Sequence, residues 1–349
     1  MKPRRRVAIT GVGLVTPLGR GLPAVAAAFG RGESAAAPAT LFDASGFASA
    51  LAAEVRDFDP RPSFRAPKAL KLCDRRTQLA VAAASDAVAD ARLDGTLAPE
   101  ELGVILGTSG SDLGAPELSR AVDGAGGAAA KDVPLFARKV LSGLSPLWLL
   151  VHLPNMTGAH VAIQAGARGP NDTVMTGWAA GLQAVGEGAA AVARGDAEAV
   201  LAGGTDSAIH PFAFAGFQQA GWLGGDGFVP GEGAVVLVLE EWERARRRGA
   251  RVRGEVVGWS SGVVDGDADL ERLARRAGAG EAGSAPRRFA GKGSAAAAGR
   301  LFAAHGPFDL ALGLAAADTP CCVAAARGPW GESAVVSVRT APSLPEGAA

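Results

Sequence analysis

A β-branched stretch that runs directly into an Ala-rich helix pattern places the tightest constraint on this fold: Thr173-Val-Met-Thr-Gly-Trp-Ala-Ala-Gly181. Such a junction is typical of a buried strand against which a helix of small residues packs closely. The side chain at the junction lies at a helix N-terminus, where backbone N–H groups favour an anion. A cysteine there would act as a thiolate nucleophile. Trp178 occupies the position instead, and an indole has no lone pair with which to attack.

The composition indicates a large, closely packed α/β unit. Hydrophobic residues make up 48% of the 349 residues and 49 are glycine, which suits small-residue helices on buried parallel strands. The formal net charge of +0 gives no electrostatic argument for nucleic-acid binding. No apolar run is long enough to span a bilayer, and three cysteines without an export signal favour a cytoplasmic location. No Cys/His spacing fits a metal site, so we expect neither metal nor cofactor.

Strand and helix patterns alternate along the chain. In the first 260 residues the pattern predicts strands at Val7–Gly13, Gly103–Thr108, Ala197–Gly203 and Ala234–Glu240, with a further candidate strand at Ala52–Arg56. It predicts two long helices there, at Leu79–Ala91 and Ala179–Arg194. Beyond residue 260 the candidate strands are Leu310–Leu314, Cys321–Ala326 and Ala334–Val338. The order of elements favours an α/β fold.

An ordered series of motifs resembles the β-ketoacyl synthase (ketosynthase) family of the thiolase superfamily. The series comprises Arg6-Val-Ala-Ile-Thr-Gly-Val-Gly-Leu-Val-Thr-Pro-Leu-Gly19, Gly103-Val-Ile-Leu-Gly-Thr-Ser109, Thr173–Gly181, Ala202-Gly-Gly-Thr-Asp206 and Asp226-Gly-Phe-Val-Pro-Gly-Glu-Gly-Ala234. No single motif decides the assignment; their order along the chain carries it. The resemblance implies a thiolase-like αβαβα layered fold. It also implies an intact N-terminal half over residues 1–260 and a truncated, degenerate C-terminal half over residues 261–349.

The catalytic residues of that family are missing. Elongating ketosynthases use one Cys and two His, and Trp178 stands at the Cys position. Two alignments are open for a lost His. In one, Ala290–Ala298 corresponds to the family's G-H-x-x-G-A-A-G segment and Lys292 replaces the His. In the other, Phe308–Pro320 corresponds to H-G-T-G-T and Leu314 replaces the His.

The turn that completes the oxyanion hole in this family departs from the pattern as well. The usual G-F-G-G-T-N corresponds here to Gly328-Pro-Trp-Gly-Glu-Ser333. Pro329 has no N–H and Trp330 is bulky, so we expect no oxyanion hole. His305 is the candidate for a displaced general base, but with no nucleophile to serve we interpret it as a capping or surface histidine. We therefore predict no catalytic residue in this chain.

The family contains a precedent for a silent subunit. In type II polyketide systems an active ketosynthase pairs with a Cys-less homologue, the chain-length factor, which shapes the tunnel in which the acyl chain grows. The resemblance predicts that role here, within a β-ketoacyl-(acyl-carrier-protein) synthase complex of type II polyketide, aryl-polyene or fatty-acid-like biosynthesis. The implied partners are an active ketosynthase and, through the complex, an acyl carrier protein. Trp178 would plug the dead site.

The strand that leads to the nucleophile lies at the dimer interface in this family. The resemblance therefore places Thr173–Gly177 at an interface, together with the preceding apolar stretch. The stretch Leu147-Trp-Leu-Leu-Val151 fits an interface and a core equally well. The interface and tunnel candidates are Leu147, Trp148, Met156, Thr173, Met175, Thr176 and Trp178.

Two other functions stay open. One is a homodimeric acyl-binding protein, and the other is a thiolase-fold enzyme with new acyl-transfer chemistry. New chemistry would depend on polar residues such as Thr176, Asp206, Ser207, Glu232 and Lys292. Glu232 is better interpreted as a hydrogen-bonded buried carboxylate that supports the fold. Arg244–Arg248 could receive an acidic carrier protein, but a solvated helix face is favoured.

Overall fold

Apolar strands and Ala-rich helices alternate through the chain, which a computed structural model describes over residues 4–93, 95–110, 114–126, 131–225, 227–278, 287–289, 292–316 and 320–340. The helices are α1 (Leu22–Gly30), α2 (Arg75–Ala91), α3 (Ala115–Ala125), α4 (Val133–Gly143), α5 (Trp148–His152), α6 (Met156–Ala165), α7 (Ala180–Arg194), α8 (Pro211–Gln219), α9 (Trp242–Arg247), α10 (Asp267–Arg276), α11 (Lys292–Ala298) and α12 (His305–Ala315). The strands are β1 (Val7–Thr16), β2 (Gly19–Arg20), β3 (Ala37–Pro38), β4 (Leu51–Ala52), β5 (Leu102–Gly107), β6 (Asn171–Val174), β7 (Ala199–Ser207), β8 (Glu232–Glu241), β9 (Gly254–Val263), β10 (Arg287–Phe289), β11 (Cys321–Arg327) and β12 (Glu332–Thr340).

The long strands form one mixed sheet in the order β10-β11-β12-β9-β1-β8-β7-β5-β6. Strands β5, β6 and β7 are parallel, whereas β8 runs antiparallel to both β7 and β1. Strands β1 and β9 meet through two residue pairs, Ala8 with Glu255 and Ile9 with Gly254. This narrow junction divides the sheet into an N-terminal part of five strands and a C-terminal part of four described strands.

Helices α7 and α12 lie between the two parts of the sheet. Alternating side chains of β11 and β12 separate the layers, as the two-residue period of a strand requires. Cys322, Ala324 and Val336 point into the central core with α7 and α12, whereas Val323 and Val335 point to the outer core with α10. Helices α2 and α6 cover the outer face of the N-terminal part. The result is the predicted αβαβα layering, with a reduced C-terminal half.

The strand predicted at Leu310–Leu314 is wrong, because these residues lie inside helix α12. Phe308, Leu310 and Ala311 are fully buried in the central layer. A helix buried on every side has no polar face, so its sequence lacks the 3.6-residue period that distinguishes a helix from a strand. The other predicted strands overlap β1, β4, β5, β7, β8, β11 and β12. The division predicted at residue 260 falls within β9 and stays a prediction.

The arginine cluster on α9 faces inward in part. Arg244 and Arg248 both form ion pairs with the buried carboxylate of Glu240, which also accepts a hydrogen bond from the Thr10 hydroxyl at 3.0 Å. The Arg244 and Arg248 side chains are only 14% and 16% exposed. The expectation of a solvated face is therefore wrong for these two arginines, which neutralise a buried charge.

The close packing of α7 against β9 leads to a prediction about the stability of a Gly186 variant. A Cβ atom at Gly186 would overlap the Trp259 ring on β9, so Gly186→Ala should destabilise the fold by about 1–3 kcal/mol through overpacking. The matched control is Gly216→Ala in the interior of α8, where a methyl group meets open space. That change should stabilise by up to about 1 kcal/mol from helix propensity. Thermal melts of both variants check the prediction, and equal melting temperatures would contradict it.

Candidate functional site

The N-terminal end of α7 opens onto a cleft of about 420 Å³. Six segments converge there: the residues after β5, the turn before α7, the end of β7, helix α8 with its flanks, the turn before α12 and the turn between β11 and β12. The cleft is lined mainly by aromatic side chains, with a few polar groups, and includes Ser109, Trp178, His210, Phe217, Trp222 and Trp330. It lies where the sequence predicted the dead nucleophile site.

Trp178 is held by rings and a cation. It lies in a short 3-10 turn, Gly177–Ala179, and is partly buried. Its ring makes edge-on contacts with Trp222 and Phe302, at centroid distances of 5.6 and 5.8 Å. The Arg300 guanidinium lies over the same ring, 4.9 Å from its centroid, which is a cation–π contact. The indole thus fills space beside the helix end, and its role as a plug of a dead site stays a prediction.

The neighbouring rings extend this packing into an aromatic cluster, which we define as Trp178, Phe217, Trp222, Phe228 and Phe302. Phe217 stacks on Phe302 at 5.4 Å and 8° and on Trp222 at 5.8 Å and 21°. The backbone of Phe302 has φ +50°, a left-handed conformation that is rare for a bulky residue. Strain of this kind persists only where surrounding contacts over-determine it, and the rings stacked around the buried Phe302 provide those contacts.

The backbone N–H groups at the cleft floor already have an acceptor. The N–H groups of Trp178 and Trp330 donate to the two carboxylate oxygens of Glu332, at 3.4 and 3.1 Å. A Cβ atom at Gly177 or at Gly328 would overlap this carboxylate, so both glycines leave room for it. The role of Glu332 is not evident from the sequence, because the string Gly-Pro-Trp-Gly-Glu does not show which backbone N–H groups its carboxylate contacts.

The structure places the two candidate replacements for a lost His differently. Lys292 is the first residue of α11, and its side chain lies outside the described part of the chain. Leu314 lies near the end of α12, packed toward Gly254 on β9, and does not line the cleft. The two alignments themselves stay predictions.

Arg300 is the cation that lies beside Trp178, and the sequence analysis did not single it out. Burial lowers the pKa of the Arg300 guanidinium, while the charge of Asp309 opposes that shift. One signal in the sequence was available. The string Gly299-Arg-Leu-Phe-Ala-Ala-His-Gly306 fits the spacing of G-H-x-x-G-A-A-G, with Arg300 at the His position.

The histidines near the site have structural partners. His210 lines the cleft and caps α8, because its Nδ1 accepts the Ala213 N–H at 3.3 Å. His305 is buried, with its Nε2 3.0 Å from the Ser294 hydroxyl and its Nδ1 accepting the Leu301 N–H at 3.4 Å. His305 therefore serves the packing at the start of α12 and does not face the cleft.

No thiol replaces the missing nucleophile. Cys73, Cys321 and Cys322 are buried and free. Burial raises the pKa of Cys73 and of Cys322 to about 12, and it raises the pKa of Cys321 as well. Within the described ranges no three His, Cys, Asp or Glu side chains converge as a metal site, and no helix is long and apolar enough to cross a membrane.

Asp206 and Glu232 are two of the polar residues considered for new chemistry, and both carboxylates are committed to the fold. Asp206 accepts hydrogen bonds from the Thr108 hydroxyl at 2.9 Å, from Ser109, and from the Ala303 N–H at 2.8 Å. Burial raises the pKa of Asp206 and these hydrogen bonds oppose the shift. The carboxylate thereby joins β5, β7 and the turn before α12.

Glu232 is fully buried at the start of β8. It accepts hydrogen bonds from the Val55 N–H and the Ser207 hydroxyl, both at 2.8 Å, and forms an ion pair with Arg75 at 2.6 Å. The interpretation as a hydrogen-bonded structural carboxylate is confirmed. The hydrogen bond from Ser207 joins the end of β7 to the start of β8.

The strand that leads to Trp178 lies at the free edge of the sheet. Strand β6 pairs with β5 on one side and is the last in the strand order. Of the predicted interface residues, Leu147, Met175 and Thr176 are exposed, whereas Trp148, Met156 and Thr173 are half-buried. Trp148 packs on His152 at a ring distance of 5.3 Å.

Exposed apolar side chains continue from that edge across α6, α5 and α4. We call this set the apolar face; its members are Leu141, Leu147, Leu149, Leu150, Leu153, Ile163 and Met175. Ile163 is 62% exposed and Met175 is 51% exposed. Helix α4 has no buried residue although its sequence is half apolar. Helix α6 contacts both β6 and α5, so Ile163 lies on an element that packs beside the edge strand.

Comparison with known proteins decides the family. A family model described as the N-terminal domain of β-ketoacyl synthase matches residues 4–245. The chain belongs to the β-ketoacyl synthase family. The resemblance inferred from the ordered motifs is thereby confirmed.

Curated relatives carry the name 3-oxoacyl-(acyl-carrier-protein) synthase 2. The protein from Synechocystis is 35% identical over 274 residues, which cover 74% of this chain and 62% of the relative. The protein from Coxiella burnetii is 35% identical over 283 residues, which cover 76% of this chain and 64% of the relative. The chain thus spans less than two thirds of the length of these relatives.

Solved structures match almost the whole chain. The ishigamide ketosynthase/chain length factor is 26% identical with a TM-score of 0.81, covering 97% of this chain and 100% of that chain. A β-ketoacyl synthase from Burkholderia phymatum has the same coverage, 21% identity and a TM-score of 0.78. A type II polyketide ketosynthase in complex with its acyl carrier protein has 19% identity and a TM-score of 0.76. The thiolase-like layered fold is confirmed.

Packing of Trp178 makes the second prediction. Trp178→Ala should lower the free energy of unfolding by about 2–3 kcal/mol, below the range for a fully buried Trp because the indole is partly exposed. The control is Trp330→Ala, since Trp330 lines the same cleft and is 83% exposed. It should change stability by less than about 0.5 kcal/mol. Urea unfolding of both variants checks this, and equal losses would show that Trp178 is no plug.

Proposed function

We propose that this chain is a non-catalytic, chain-length-factor-type subunit that pairs with an active ketosynthase. In that complex it shapes the acyl tunnel and stabilises its partner in type II polyketide, polyene or fatty-acid-like biosynthesis. One observation carries the proposal: the start of α7 presents Trp178, wedged between Trp222, Phe302 and Arg300, where the family presents its nucleophile.

The chemistry around that position supports a silent role. Acyl condensation needs a nucleophile, a general base and an oxyanion hole. The three cysteines are buried, do not line the cleft and have raised pKa values, so none is available as a thiolate. His210 caps α8, and His305 packs at the start of α12. The backbone N–H groups of Trp178 and Trp330 donate hydrogen bonds to Glu332. The curated relatives are named as synthases, whereas, within the described residues, the cleft of this chain is lined by no cysteine and its one lining histidine, His210, caps α8.

The surface supports a partner. A free strand edge exposes unpaired backbone N–H and C=O groups, which natural proteins cover or pair. In this chain the free edge of β6 adjoins the apolar face, and large exposed apolar areas mark interaction sites. A second ketosynthase fold would present the same strand, so that two sheets join edge to edge across a pseudo-two-fold axis. The ketosynthase/chain length factor pairing named for the ishigamide proteins fits this arrangement.

The interface candidates divide into two proposed roles. Leu147, Met175 and Thr176 are exposed and would contact the partner directly. Trp148 and Met156 are half-buried beneath the apolar face, a position suited to the wall of an acyl tunnel at the interface. An acidic carrier protein would reach this chain only through the complex.

Co-expression with the ketosynthase encoded beside this chain's gene tests the proposal. We expect a one-to-one complex by native mass spectrometry, and condensation of acyl-carrier-protein substrates only when both chains are present. A stable homodimer that ignores the ketosynthase would overturn the proposal in favour of an acyl-binding protein. A homodimer that turns over acyl substrate would favour new acyl-transfer chemistry.

Disruption of the apolar face makes the third prediction. Ile163→Glu places a charge beside the β6 edge and should weaken co-purification at least tenfold, about 1.4 kcal/mol of binding free energy. The control is Val263→Glu on β9, where an equally apolar residue is 76% exposed in the other half of the sheet. Quantitative pull-down of the ketosynthase checks the pair. Equal recovery with both variants would place the interface elsewhere.

A further prediction concerns a variant that places a thiol at position 178. Trp178→Cys should give no condensation, because the cleft still lacks a catalytic His and a free oxyanion hole. The measurement is product formation from an acyl-carrier-protein substrate by the isolated variant, with the wild-type chain as the blank. Turnover above that blank would sink the claim that the chemistry is lost at more than one position.

A further inference from the structure

The turn between β11 and β12 folds its own carboxylate back under α7. Glu332 lies two residues after Trp330, and its oxygens accept the Trp330 N–H at 3.1 Å and the Trp178 N–H at 3.4 Å. The turn is closed by two further backbone hydrogen bonds, from Gly328 N–H to the Glu332 carbonyl and from Gly331 N–H to the Gly328 carbonyl. The carboxylate is therefore positioned by a rigid loop.

Two glycines make the contact possible. A Cβ atom at Gly328 would coincide with the carboxylate, and one at Gly177 would overlap Oε1. Gly177 also has φ +61°, which turns the Trp178 N–H toward the carboxylate before α7 begins. Two convergent N–H groups, one of them at the start of a helix, form the geometry that binds an oxyanion. In this chain the anion is an internal side chain.

We propose that Glu332 is an internal ligand that closes this N–H pair to external oxyanions, namely carboxylates and the carbonyl oxygens of acyl thioesters. Closure has two parts: both donors are taken, and a fixed negative charge repels a second anion. The contact also joins the C-terminal part of the sheet to the N-terminus of α7. This goes beyond the proposed function, because it holds whether or not a ketosynthase binds to the chain.

Amide hydrogen exchange tests the contact in the complete 349-residue chain. We expect the Trp178 and Trp330 amides to be protected in the wild type and to exchange at least tenfold faster in Glu332→Ala. Gly328→Ala is a second, independent variant, since its methyl group displaces the carboxylate while keeping the glutamate. The control is Glu243→Ala, which removes an exposed carboxylate on α9. Equal exchange in wild type and both variants would overturn the proposal.

Ligand binding tests the closure. The probe is sodium octanoate, titrated while the fluorescence of the cleft tryptophans is followed, because Trp178, Trp222 and Trp330 all line the cleft. We expect saturable binding to Glu332→Ala and none to the wild type or to Glu243→Ala. Should Glu332→Ala fail to fold, the near-isosteric Glu332→Gln takes its place. Binding of octanoate to the wild type with the same affinity, or faster amide exchange without any octanoate binding, would show that Glu332 does not close the site.

Discussion

The close burial of α7 between the two parts of the sheet is the constraint on which the rest of this structure depends. Glycines allow that approach: Gly188 faces Ala202 and Leu239 on one side, and Gly186 faces Trp259 on the other. A helix packed on both faces cannot rotate or slide without opening cavities in two cores at once. Its first turn is therefore a fixed point, and every segment that reaches the cleft is positioned against it.

At that fixed point, packing and internal hydrogen bonds occupy the start of α7. The aromatic cluster fills the space in front of the helix end, the guanidinium of Arg300 lies over Trp178, and the carboxylate of Glu332 takes the backbone donors. Space, a positive charge and oriented N–H groups are the properties with which a site binds a substrate. Here the aromatic cluster fills the space, Trp178 contacts the charge of Arg300, and Glu332 accepts hydrogen bonds from the N–H groups. Two buried carboxylates stabilise the same region: Asp206 accepts the Ala303 N–H, and Glu232 forms an ion pair with Arg75.

Within the described residues the layers bury a continuous core, whereas β6 lies at one end of the strand order. Layers cover both faces of the sheet, and yet β6 ends the strand order with the apolar face beside it. Helix α4 packs on α3, and yet none of its residues is fully buried, so its apolar side chains are available to a covering surface. This asymmetry between a closed centre and an open edge is what a subunit of an assembly requires.

The sequence by itself determined the family, the strand-to-helix junction and the presence of a tryptophan at that junction, because these depend on local pattern and on the order of motifs. It also identified Glu232 as a structural carboxylate. It could not reveal α12 as a helix, because a fully buried helix has no polar face and its sequence therefore lacks the 3.6-residue alternation of polar and apolar residues. Nor could it reveal Arg300 over Trp178 or Glu332 beneath it, which come from positions 122 and 154 residues away in the chain. Only the tertiary structure brings those side chains together, because the two parts of the sheet must close around α7 before the turns meet.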